Sequence, residues 1–244
     1  LLLEKQLNDQ KLERQIRIDS LESVGAFNLI HISDEEGLDG DELYAQLPPQ
    51  TTIWRNFWHK RFDDLPSLRT FPIGPRDMFL SDDSRKYEKA SNRQYPWTFI
   101  GTIWSSGSRR EAVSIFQKDL PNGFYYGAKS FGQGLPLNNY RNQLLNSIFS
   151  LAPEGDRHLD TFRLWESLCC GCIPLIVDHK SSANRLLVGP HPIPVFASWQ
   201  DSLSFAKTSL QDKIYINQLQ NKISKWWRRY FFELSMSLRL SLLN

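Results

Sequence analysis

Apolar and polar positions change rhythm repeatedly along the chain. Residues 1–22 are polar and charged, with Leu and Ile at helical intervals, which predicts a helix. Phe27-Asn28-Leu29-Ile30-His31-Ile32 then alternates and runs into Ser33-Asp34-Glu35-Glu36-Gly37, a strand entering an acidic loop. Short strands are predicted again at Thr51–Asn56 and at Leu68–Pro75, the second ending in a Gly-Pro turn. Between Ser81 and Tyr95 the chain is charged and nearly without aliphatic residues, the texture of a linker, which puts a boundary near 80–95.

Beyond the linker, strands and helices alternate. Trp97–Thr102 predicts a strand, Ser105–Arg110 a small-residue loop and Glu111–Lys118 the start of a helix with Ala112, Val113 and Phe116 apolar. Phe124-Tyr125-Tyr126 predicts a strand, Tyr140–Asn146 a short helix, and Ser147–Ala152 a buried strand closed by Pro153-Glu154-Gly155. A helix over 160–170 and the strand Ile173–Val177 complete the series, and such alternation implies a parallel sheet with crossover helices. From about Ser209 to Leu242, Leu219, Ile223, Trp226 or Trp227, Tyr230, Leu234, Leu238 and Leu242 form one stripe of a long helix. That stripe suits packing on the sheet, while the nearby Lys222, Lys225, Arg228 and Arg229 also suit a membrane surface.

Composition narrows the function classes. Of 244 residues, 29 are basic and 27 acidic, a net charge of +2 that gives no general pull toward nucleic acid, so an anion site must be local. The three cysteines, Cys169, Cys170 and Cys172, are too close together for a disulfide framework and lack partners at zinc-finger spacing, so they read as small buried hydrophobes. No run of 18 apolar residues spans a membrane. The chain opens on Leu rather than Met, and an upstream anchor or signal is expected to be missing.

Two stretches carry candidate chemistry. In Phe99–Arg110 a strand runs through Gly101, Thr102 and Ser106 to Arg109 and Arg110 at a helix start. Small residues there let backbone N–H groups approach an anion, and either arginine can pair with a phosphate. A plain strand-to-helix loop with two surface arginines is the alternative. In the second stretch, Pro153-Glu154-Gly155 ends a strand, Asp160 or Thr161 caps the next helix, and Arg163 and Glu166 lie in its first turns. The arginine suits a diphosphate and the carboxylate two ribose hydroxyls; an Arg163–Glu166 ion pair within the helix is the alternative.

Residues 147–177 resemble the nucleotide-sugar-binding half of the exostosin-type glycosyltransferases. The resemblance rests on Pro153 and Gly155, on Phe162-Arg163-Leu164-Trp165-Glu166-Ser167, and on Gly171-Cys172-Ile173-Pro174-Leu175. Phe99–Arg109 is similar to the family's Gly/Ser-rich loop, and Val195–Trp199 to its late strand and Trp. Upstream, His31–Glu35, Arg55–Trp58 and Pro72–Gly74 resemble the acceptor-side half of the branch that includes the ribitol xylosyltransferase type. Many members carry Arg where this chain has Glu154, so Glu154 is expected to face a sugar hydroxyl or solvent.

The resemblance implies an α/β, GT-B-like fold of two Rossmann-like domains facing a cleft, the N-terminal one reduced or truncated. The expected divisions are an acceptor-side domain over 1–85, a donor-binding domain over 96–208 and a C-terminal helix over 209–244. It also implies inverting transfer from a nucleotide sugar, of the UDP type, to a glycan or polyol hydroxyl without a metal or other cofactor. Asp39-Gly40-Asp41 fits D-x-D by letter but lacks a preceding hydrophobic strand. Asp34 and Glu35 are the candidate general bases, because they follow a strand end of the first domain; capping the next helix is their alternative role. His31 is expected in the core, and His158 is expected as a solvated loop histidine, contact with the donor diphosphate being its alternative role. A donor-binding module without activity is the alternative function. The expected location is cytoplasmic for a bacterial or viral protein and the Golgi lumen for an anchored eukaryotic one.

Overall fold

The structure is a computed structural model that describes residues 2–4, 28–33, 41–80, 87–103, 107–130, 133–155, 157–179, 183–187 and 189–243. Asp34, Glu35 and Ser106 therefore lie outside the described residues. The chain divides into two compact units. One comprises residues 1–73, 156–158 and 231–244, and the other residues 74–155 and 159–230.

The first unit holds a parallel sheet in the order β1 (Leu2–Glu4), β2 (Asn28–Ile32), β3 (Thr52–Arg55) and β4 (Leu68–Thr70). Its core gathers Leu29, Tyr44, Leu47, Ile53 and Phe62. His31 is fully buried as expected, and beside it in register lies Arg55, equally buried. Arg55 donates to Tyr44 Oη at 2.9 Å, contacts His31 Nδ1 at 3.1 Å and lies over the Phe62 ring at 4.8 Å. Residues 2–4 correct the expected N-terminal helix: they pair in parallel with Asn28–Ile32, so strand partnership overrides local helical spacing there. Residues 5–22 of that expectation fall outside the described residues.

The second unit carries a five-stranded parallel sheet, β6 (Phe124–Ala128), β5 (Tyr95–Thr102), β7 (Ser147–Leu151), β8 (Ile173–Val177) and β9 (Val195–Phe196), in that spatial order. Its helices are α1 (Ser108–Asp119), α2 (Leu137–Leu145), α3 (Phe162–Cys169), α4 (Ala183–Leu186), α5 (Trp199–Gln211) and α6 (Lys213–Leu243), the last shared with the first unit. Side chains of β5 alternate between two faces. Trp97 meets Phe116 of α1, which meets Trp199 of α5. Ile100 points the other way, into a cluster with Phe79, Tyr140, Leu144, Cys170 and Cys172. Burying each such large apolar side chain contributes about 1.5–3 kcal/mol.

The order of this sheet decides where a ligand can sit. The chain goes from β5 outward to β6 and then returns past β5 to β7, so its direction reverses between β5 and β7. At such a reversal the crossovers leave on opposite faces and open a crevice at the carboxyl ends of the two strands.

Two boundaries differ from the sequence reading. The division between units falls at Ile73/Gly74 rather than within 80–95, because the residues just after Gly74 pack with the second sheet. The C-terminal segment is two helices, interrupted at Asp212, whose extended backbone (φ −113°, ψ 93°) ends α5. Its carboxylate then accepts from the N–H groups of Ile214 and Tyr215 and starts α6. The stripe of α6 is buried at Leu219, Ile223, Trp226, Trp227 and Tyr230, with Trp165 stacked on Tyr230 at 5.9 Å. Among the described residues no helix is long and apolar enough to cross a membrane.

Candidate functional site

A cavity of about 390 Å³ opens at the carboxyl ends of β5 and β6, beside the start of α3. Its floor comes from Ile100, Gly101 and Thr102 at the end of β5 and Ala128 at the end of β6; Thr161, Phe162, Arg163 and Glu166 reach it from α3. Its charged lining is three arginines, Arg76, Arg109 and Arg163, against one carboxylate, Glu166. Such a balance favours an anion that carries more than one charge.

Arg163 is the best-built of these groups. Thr161 is the N-cap of α3 in extended conformation, so Arg163 falls in the first turn on the helix face that meets the sheet. Its Nε and Nη2 both donate to the Ile100 carbonyl at 3.3 Å, and the guanidinium lies 4.5 Å from the Phe99 ring centre. Gly101 makes room for it: a Cβ at that position would stand 2.5 Å from Nη2. Burial lowers the Arg163 pKa from its usual value, against the raising influence of Tyr140 and Glu166. Nη1 is buried and has no hydrogen-bond partner, and the same holds for Oγ1 of Thr161. An unpaired buried donor costs about 1–3 kcal/mol. An anion accepted there would recover that cost, and the N-terminal N–H groups of α3 add positive potential at the same place.

Glu166 is buried and holds no ion pair with Arg163. Its partner is Arg76, whose Nε lies 2.5 Å from Oε1 and whose Nη2 lies 3.3 Å from Oε2. Burial, reinforced by the charge of the Glu166 carboxylate, raises the Tyr140 pKa well above its usual value. The phenol therefore stays protonated through neutral pH. Arg76 and Tyr140 were not marked by any sequence pattern. Arg76 follows a Gly-Pro turn that reads only as a turn, and it meets Glu166 across 90 positions of chain.

The remaining candidates divide. Thr102 lines the cavity, and its carbonyl accepts from Arg109 Nη1 at 3.1 Å, while Arg109 Nε donates to the Glu154 carbonyl at 3.2 Å. Pro153, Glu154 and Gly155 are not part of the cavity lining, although the Glu154 carbonyl holds Arg109. Arg110 is exposed and absent from the cavity lining, since its position in α1 is one residue round from Arg109. His158 is half-buried and stacks on Phe57 at 5.3 Å within the first unit. Trp199 is buried at the start of α5 and donates to Ser108 Oγ at 2.8 Å. Among the described residues no three His, Cys, Asp or Glu side chains form a group that could hold a metal.

Residues 77–189 match the family model of the RXYLT1 C-terminal domain. Ribitol-5-phosphate xylosyltransferase 1 of Homo sapiens is 26% identical over 189 residues, covering 70% of this chain and 41% of that protein. The Mus musculus protein of the same name is 24% identical over 190 residues, covering 69% and 40%. The matches support an exostosin-like family. The matching stretch thus spans less than half the length of these relatives. Among solved structures, T4 phage BGT in complex with UDP and Mn2+ superposes with a TM-score of 0.51 at 10% identity, covering 89% of this chain and 74% of that one. That likeness concerns the fold, which is α/β and GT-B-like.

Proposed function

We propose that the chain is a nucleotide-sugar glycosyltransferase whose donor site is the cavity at the ends of β5 and β6 and the start of α3. The observation that carries this reading is the buried, unpartnered Arg163 Nη1 in a cavity with a surplus of arginines. A diphosphate would take Arg163, the first turn of α3 and Arg109; a ribose would take Glu166, whose carboxylate accepts from hydroxyl donors. When the nucleoside diphosphate departs, the charge that grows on it is met by fixed guanidinium groups and needs no proton. The names of the relatives make a nucleotide xylose the first donor to try, UDP-xylose above all, and ribitol 5-phosphate the first acceptor. Inversion at the anomeric carbon, absence of a metal requirement and a base role for Asp34 or Glu35 belong to the same proposal.

The test is calorimetric binding of UDP and UDP-xylose, followed by transfer to ribitol 5-phosphate in EDTA with and without added Mn2+. Arg163→Ala should lower UDP affinity by about tenfold to a hundredfold, the worth of a charge-assisted bond. Equal binding by wild type and variant would refute the site. UDP binding without transfer to any acceptor would leave a binding module in place of an enzyme. Anomeric configuration of the product, read by NMR, decides inversion.

A further inference from the structure

The pairing of Glu166 has a feature that ribose binding alone does not require. Its carboxylate is nearly fully buried, and the cation beside it, Arg76, is 45% exposed in its side chain. Arg76 is delivered by a stiff approach: Gly74 takes φ 72°, Pro75 fixes the next φ, and Arg76 then starts the 3-10 turn Asp77–Phe79. Its guanidinium lies 5.9 Å from the Phe79 ring and 5.4 Å from the Tyr140 ring, so two aromatic faces and a carboxylate hold it in one place. Arg76 engages both carboxylate oxygens of Glu166, one bond to each. The longer of the two arginine bonds falls on Oε2.

We propose that Arg76 is a positioning residue that holds the Glu166 carboxylate in the one orientation that reads ribose hydroxyls, and so selects ribonucleotides over deoxyribonucleotides. The inference rests on the nucleotide reading of the cavity. With Arg76 bonded to both oxygens, the plane of the carboxylate is fixed and its remaining acceptor directions suit hydroxyl donors. A ligand that lacks the hydroxyl leaves a buried acceptor unpaired, which is the stronger source of discrimination. Arg76 itself touches no substrate in this scheme.

The experiment compares dissociation constants for UDP, 2′-deoxy-UDP, 3′-deoxy-UDP and pyrophosphate in wild type, Arg76→Met, Arg76→Lys and Glu166→Gln, each checked for folding by its thermal melt. Wild type should prefer UDP by about tenfold or more over at least one deoxy form. Arg76→Met and Glu166→Gln should bring that ratio close to one, while pyrophosphate binding stays within about threefold of wild type. Arg76→Lys, which keeps the charge but not the two-pronged geometry, should recover part of the ratio and serves should the Met variant not fold. An unchanged ratio in Arg76→Met or Arg76→Lys overturns the proposal, as does an equal loss of UDP and pyrophosphate, which would make Arg76 a phosphate ligand. Failure of wild type to bind UDP overturns the nucleotide reading and this inference together; the other outcomes overturn only the inference.

Discussion

Replacing Gly101 by Ala adds one carbon atom and removes no charge, yet it should disable the anion site. The new Cβ would stand 2.5 Å from Arg163 Nη2, whereas ordinary contact begins near 3.4 Å. The guanidinium must therefore retreat by roughly 1 Å, a displacement that in a tuned site can cost about a hundredfold. Its two bonds to the Ile100 carbonyl are already 3.3 Å long, so a retreat of that size breaks both. Loss of the arginine–phosphate contact is worth about 1.5–3 kcal/mol, or about tenfold to a hundredfold in UDP affinity. The positive φ of 154° at Gly101 adds a backbone cost of about 1 kcal/mol, read as a small drop in thermal stability. Calorimetry on wild type, Gly101→Ala, Arg163→Ala and the double variant measures the effect. Both single variants should lose affinity, and the double variant should lose no more than Arg163→Ala alone, because without the guanidinium the Cβ meets only the Phe99 ring at 3.8 Å, an ordinary contact. Losses that add, or Gly101→Ala binding within twofold of wild type, would refute the reasoning.

Two further outcomes concern the scaffold beneath the site. Burial pushes the Cys170 and Cys172 thiols up to about 12 from an ordinary 9.0. The unfolded chain then releases these protons first, so stability should hold below about pH 9 and fall between about 9 and 12; urea midpoints at pH 8, 10 and 11 check the sign. Gly171→Ala should destabilise by about 1–3 kcal/mol, since φ is 59° and its Cβ would stand 2.6 Å from the Tyr87 ring; the fall in urea midpoint should shrink in the Tyr87→Ala background.

Local pattern carried much of the second unit. Alternation through Trp97–Thr102 and the apolar run Ile173–Val177 named their strands because each face of a parallel sheet must be covered by apolar side chains. Helical spacing placed Arg163 and Glu166 on one helix, and both line the cavity. Where a residue's neighbours lie far off in the chain, pattern was mute or misleading. Leu2–Glu4 has helical company in sequence but a strand partner some 28 positions away in register. Asp212 breaks what reads as one helix because its own carboxylate caps the next. Arg110 is equivalent to Arg109 in sequence, and only the direction of α1 turns one toward the cavity and the other to water.

The sequence by itself determined the alternation of strands and helices from Trp97 to Val177, the candidate helix bearing Arg163 and Glu166, and the family resemblance that proposed a nucleotide sugar. Tertiary structure alone decided which charges meet. Arg76 lies 90 positions from Glu166, and the Ile100 carbonyl that braces Arg163 lies 63 positions from it. Periodicity records which face a residue shows to its own element. Charge pairing in a cavity depends on which elements converge there, and that follows from strand order and the reversal between β5 and β7.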